Sequence, residues 1–166
     1  MEQKNRHERL ELNQDLKVTR ATWKVERLGW IGLGAALAAA LLGLLGPGPL
    51  SEASTGPGAI LVRYQRFAHF EAEAELDVEV RPTAPGAEMG IWLSSEYLRD
   101  MEIRGVTPPP ARTRVERDRA VYFYEVAGDG PLTIRFDIVY RKIGRLKGTA
   151  GILGGAEAEF AHWIYP

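Results

Sequence analysis

The stretch "PLTIRFDIVYR", Pro131–Arg141, decides the fold. Leu132, Ile134, Phe136, Ile138 and Tyr140 alternate with Thr133, Arg135, Asp137 and Arg141, and Val139 alone breaks the alternation. Successive side chains of an extended chain point to opposite faces, so the pattern predicts a strand with one face on a core and one in water. On its N-terminal side, "GDG" at 128–130 predicts a hairpin to "AVYFYEVA" at 120–127, whose two apolar faces suit a central position in a sheet. Further strands are expected over 59–67, 71–80, 88–95, 101–106, 111–118, 145–153 and 157–164. A helical turn is expected in "SEYLRDM" at 95–101, and "TPPPA" at 107–111 breaks the chain. Roughly eight short strands without a helix-period stretch of ordinary length predict an all-β domain over 59–166, an antiparallel sandwich of immunoglobulin-like architecture. The chain contains no Cys, so the Cys…Trp…Cys signature is missing and the strand topology stays open.

Within "EAEAELDVEV" at 71–80, Glu71, Glu73, Glu75, Asp77 and Glu79 fall on one side of a strand. A calcium site gathers six to eight oxygens around one point, which a flat stripe does not do. The expected role is a solvated face, with arginines such as Arg135 on a neighbouring strand relieving the repulsion. Two of the three histidines sit in near-identical frames, "FAHF" at 67–70 and "FAHW" at 160–163. His69 and His162, with Glu71 and Glu159 nearby, are zinc-ligand types, but these spacings do not force three or four ligands to one point. The expected role is framework: two aromatic-rich strand ends packing a common core edge, with partly exposed histidines. No Gly-x-Ser-x-Gly elbow, His-Glu-x-x-His or phosphate-binding glycine loop occurs, and no catalytic residue, metal or cofactor is expected. A net charge of −1 lacks the basic footprint of a nucleic-acid binder.

The N-terminal part reads differently. Residues 28–46, "LGWIGLGAALAAALLGLLG", carry no charge, and at helical rise they cover about 28 Å, close to the hydrocarbon thickness of a bilayer. A transmembrane helix is expected there. The preceding polar segment is too long for an ordinary signal-peptide n-region, which favours an uncleaved anchor. Lys4, Arg6, Arg9, Lys17, Arg20, Lys24 and Arg27 precede the run, and no Lys or Arg follows until Arg63. That asymmetry predicts a cytoplasmic N-terminus and an extracytoplasmic C-terminal domain. Residues 1–27 are expected to form a cytoplasmic juxtamembrane helix, and "PGPLSEASTGPG" at 47–58 a linker. Gly29, Gly32, Ala36, Ala40 and Gly43 fall within an arc of about 80° on the helix. Such a row suits close approach of a partner helix, from another integral membrane protein or a second copy, although Gly and Ala are common in spans generally.

The ends of the outer domain, "VRYQRFAHFEAEAELDVEV" at 62–80 and "AEFAHWIYP" at 158–166, carry a resemblance. Through Tyr64, Gln65, Arg66, Phe67, Phe160, Tyr165 and Pro166 the chain resembles small uncharacterised bacterial membrane proteins with one N-terminal span and an outer β domain. These are often encoded beside YetF-like integral membrane proteins. The resemblance implies an envelope protein working with a polytopic neighbour, and no catalytic residues. The expected function is an accessory or interaction subunit of a bacterial envelope membrane complex. An envelope sensor signalling through the short cytoplasmic helix and a membrane-anchored metal-dependent enzyme are the alternatives.

Overall fold

A computed structural model of the chain describes residues 23–43, 48–82, 86, 88–126, 128 and 130–166. The chain divides into two compact units, one running to Leu41 and the other from Leu42 to Pro166. In the first, residues 23–41 form one helix, α1. Within it Arg27 lies over the Trp23 ring at 5.4 Å, one helical turn away.

The expected span over 28–46 is not found as such. No helix among the described residues is long and apolar enough to cross a membrane. Lys24, Glu26 and Arg27 occupy the first turns of α1, so its charge-free part is 28–41, about 21 Å at helical rise. The helix ends because Leu42 and Gly43 turn, with Gly43 at φ +93°, a conformation that favours glycine at helix ends. Residues 44–46 of the apolar run lie outside the described residues, as do 1–22 of the expected cytoplasmic helix. Residues 23–27 are helical and run straight into the apolar part.

The second unit is a β sandwich. Its strands are β1 (Glu52–Thr55), β2 (Ile60–Gln65), β3 (Phe67–His69), β4 (Glu73–Val80), β5 (Glu88–Ser94), β6 (Met101–Thr107), β7 (Arg112–Val115), β8 (Arg119–Glu125), β9 (Leu132–Tyr140), β10 (Gly144–Ile152) and β11 (Glu157–Tyr165), with helix α2 (Ser95–Arg99) between β5 and β6. One sheet has the order β1-β2-β4-β9-β6 and the other β3-β11-β10-β5-β8-β7. All described pairings are antiparallel except β3 with β11, which is parallel, so the sandwich is not wholly antiparallel as expected. Alternating residues of both sheets meet in the core, among them Ile60, Val62, Leu76 and Phe136 from the first and Ile91, Leu93, Tyr122 and Phe160 from the second.

Two expectations change. The strands 120–127 and 131–141 do not form a hairpin, because β8 pairs with β5 and β7 whereas β9 pairs with β4 and β6. The connection through Gly128 and Gly130 crosses from sheet to sheet instead. Charge explains the partner: Arg135 of β9 stands opposite Asp77 of the acidic β4 and relieves the repulsion between Asp77 and Glu75. The apolar outer face of β8 suits a different neighbourhood, where Arg112 lies over Phe123 at 3.9 Å. The expected linker also yields a strand at its end. Residues 52–55 pair with β2, and Gly56, at φ +141°, closes the turn where a Cβ would sit 2.1 Å from the Ile60 carbonyl oxygen. "EAST" is short and lies on an edge, so its alternation carries no apolar signal.

Candidate functional site

The two FAH frames resolve into opposite faces of one sheet. β3 and β11 run side by side with Phe67 opposite Trp163 and His69 opposite Tyr165. The frames are therefore offset by an odd number of residues, and an odd offset turns the side chains to the other face. Phe160 and His162 point into the core, whereas Phe67 and His69 point out. The histidines do not converge, and no group of three or more His, Cys, Asp or Glu among the described residues is placed to hold a metal ion.

His162 is fully buried rather than partly exposed as expected. Its Nδ1 lies 2.6 Å from the Gln65 carbonyl oxygen, which only accepts, so Nδ1 carries the proton of the neutral ring. Nε2 is then the acceptor, and the Tyr97 hydroxyl donates to it at 2.8 Å. The Tyr140 oxygen lies 2.9 Å from Nδ1 and shares that N–H as an acceptor. Tyr97 stacks on the imidazole at 5.6 Å, and Tyr64 meets it edge-on at 5.2 Å. Burial outweighs the Gln65 contact and pushes the His162 pKa down to about 4. Burial likewise raises the pKa values of Tyr97 and Tyr140. The cluster joins β2, α2, β9 and β11, and thus both sheets, through satisfied polar atoms. Such a group fixes how the layers register, since any other seating leaves buried donors and acceptors unpaired. With no solvent-facing atom on the imidazole, its role is packing.

Sequence reading did not identify Tyr97 and Tyr140 as partners of His162. Tyr140 was legible as an inward residue of its strand. Tyr97 sits in α2, a five-residue helix too short for periodicity to show which side is buried.

The outward half of the frames makes the second feature. Phe67 and Tyr165 stack at 6.1 Å, His69 lies against Tyr165 at 6.2 Å, and His69 Nδ1 is 3.3 Å from the Pro166 carbonyl oxygen. Trp163 beside them is 51% exposed, and Phe70 follows as a further exposed ring.

The acidic stripe behaves as a solvated face. Arg135 contacts Asp77 at 2.9 Å and Glu75 at 3.1 Å, Arg63 contacts Glu79 at 2.8 Å, and Arg141 contacts Glu71 at 3.0 Å. Each carboxylate of these pairs has a guanidinium from a nearby strand or turn.

In α1, Gly29, Gly32, Ala36 and Ala40 are helical, and a Cβ at Gly29 or Gly32 would meet nothing within 4 Å. Gly43 does not continue that face, because it has left the helix and its Cβ position lies 2.6 Å from the Gly48 backbone. No protein-family model matches the chain, and no curated protein matches it in sequence.

Proposed function

We propose that the chain is a non-enzymatic accessory subunit of a bacterial envelope membrane complex. In this reading it is anchored by its N-terminal apolar segment, with the N-terminus cytoplasmic and the immunoglobulin-like sandwich outside the cytoplasmic membrane. The observation that carries the reading is the surface of α1. Leu28, Trp30, Ile31, Leu33, Leu37 and Leu41 are all exposed, and at 100° per residue they cover an arc of about 220°, the remaining arc being Gly29, Gly32, Ala36 and Ala40. Leaving such side chains in water costs on the order of 1.5–3 kcal/mol each relative to full burial. A helix apolar on every side requires a cover, from lipid or from protein. Leu44, Leu45 and Gly46 extend the charge-free run in sequence, and the Lys/Arg excess lies wholly before it. The partner is another integral membrane protein or a second copy, seated on Gly29, Gly32, Ala36 and Ala40.

The cysteine-free chain permits a direct test. Thr113→Cys, on exposed β7, should react with a membrane-impermeant maleimide in cells whose outer envelope is opened, while Asn5→Cys should react only after lysis. Equal labelling of both, or release of the protein by alkaline carbonate, would refute the anchored topology. Affinity purification in mild detergent should recover a polytopic partner that is lost when 28–41 is replaced by leucine. Retention of that partner would move the contact to the sandwich.

A further inference from the structure

One cleft of the sandwich opens at a notch in a sheet, and we infer that it binds a short peptide with free ends, laid as an added strand along the open edge of β10. The inference concerns the sandwich alone and does not depend on the anchored reading above. β5 pairs with β10 only from Ile91 to Leu93, opposite Ile152 to Ala150. At Ser94 β5 ends, and the chain turns into α2. From Gly144 to Thr149, β10 is therefore paired with a strand on its β11 side only. Main-chain groups of an antiparallel strand point alternately to its two neighbours. The Ile152 N–H donates to the Ala156 carbonyl on the β11 side, and the Leu153 N–H to the Gly90 carbonyl on the β5 side. The Thr149 N–H points as that of Leu153 does and donates to the Ser94 hydroxyl at 3.3 Å. The main-chain groups of Lys147 and Arg145 come next along that edge, and no described strand meets them. Such an edge is a template for one more strand.

The cleft at this edge has a volume of about 490 Å³, within the range of small-ligand sites. Gly148 keeps it open. A Cβ there would meet the Phe160 ring at 2.6 Å and the Tyr97 ring at 2.8 Å, so no side chain fills the gap. Phe160 and Tyr64 line the cleft from the core side, which gives a ligand side chain an apolar floor. Ser94 and Glu96 form the wall that faces β10.

Charge sets the class of ligand and its direction. Arg145 and Lys147 line the cleft towards the start of β10, whereas Glu159 stands opposite Thr149 and Glu96 lies on the facing wall. None of these four groups has an ion-pair partner among the described residues, so the two signs share a cleft without meeting each other. A simple anion would meet the two carboxylates and a simple cation the two bases, so the site favours a ligand carrying both charges. From Thr149 to Lys147 and Arg145 is two to four residues, about 7–14 Å at strand rise. A free amino acid holds its ammonium and carboxylate only about 3 Å apart, whereas an extended chain of two to four residues spans about 7–14 Å. With its ammonium at Glu159 and its carboxylate at Lys147 and Arg145, such a peptide runs antiparallel to β10, the more stable sense for a ladder. Its main chain then pairs with the open edge, and its ends make charge-assisted hydrogen bonds.

The test titrates the full-length chain, in a neutral detergent, with trialanine and with Ala-Leu-Ala by calorimetry. Both peptides should bind, and exchange of the Lys147 amide hydrogen should slow several-fold when they do. Acetylating the amine or amidating the carboxylate of trialanine should weaken binding about tenfold each, as expected for loss of a hydrogen bond to a charged group. Arg145→Gln with Lys147→Gln should make the amidated peptide bind no worse than the free one. Glu96→Gln with Glu159→Gln should do the same for the acetylated peptide. Thermal melting checks each variant, and where a double change unfolds the chain, Lys147→Gln or Glu159→Gln alone takes its place. Binding by neither peptide, binding indifferent to the capping of both ends, or binding that every variant retains unchanged would overturn the inference. So would free alanine binding as tightly as trialanine, since a single residue cannot lie along the edge.

Discussion

On the inner face of β11, Phe160 and His162 lie beneath the opposite sheet with every ring nitrogen bonded. On its outer face, one residue further, Trp163 is half in water and Tyr165 stacks on Phe67. The two faces draw on the same residue types, yet one is closed and polar-satisfied while the other is open and apolar. The difference teaches that residue type alone does not say what a face is for. An imidazole sealed among three tyrosines specifies the fold. The exposed rings of the outer face make no such buried contact.

The sharpest way to break this comparison is His162→Ala. It empties a buried site and strands the Tyr97 hydroxyl and the Gln65 carbonyl, so a loss of about 3 kcal/mol or more is expected in urea melts. A loss below about 1 kcal/mol would show that the cluster does not tie the sheets. The same histidine sets a pH dependence. Its pKa is about 4 in the folded chain against an ordinary 6.5, so the unfolded chain binds the proton first. The stability is complete above pH 6.5 and declines as pH falls toward 4, by up to about 3 kcal/mol. His162→Gln should flatten the slope between pH 6.5 and about 5.5, above the range of the carboxylates, and melts across that window would show whether it does.

Two hydroxyls sharpen the picture further. Tyr97→Phe removes the donor to Nε2 and should cost about 1–3 kcal/mol. The Tyr124 hydroxyl is buried without a partner among the described residues, so Tyr124→Phe should be neutral or stabilising. The same sign for both would mean that hydrogen bonding is not what distinguishes them. The smallest effect is expected outside: Trp163→Ser should change stability by less than about 0.5 kcal/mol in the same melts. A larger loss would place Trp163 in the framework.

Much of the β framework was legible along the chain. Period-two alternation in 131–141 and 71–80 gave both strands and the inward faces of both, because the constraint acts between neighbouring residues. The pairing of Arg135 with the acidic stripe followed from charge alone. The site was less legible. Nothing in either FAH frame says that one is offset from the other by an odd step, since register is set between strands about ninety residues apart. The Tyr97 contact was hidden for a related reason, as a single turn has no period to read.

The sequence by itself determined that residues 59–166 form a sandwich of strands, that the acidic stripe faces water among arginines, and that an uncharged apolar segment precedes the domain. Tertiary structure alone decided that β8 and β9 part into different sheets, that Glu52–Thr55 adds an edge strand, and that His162 is enclosed while His69 is not. The first group depends on side chains adjacent along one strand, where geometry is fixed by the backbone. The second depends on which faces meet across the core, a choice made jointly by many distant residues through packing and hydrogen-bond satisfaction.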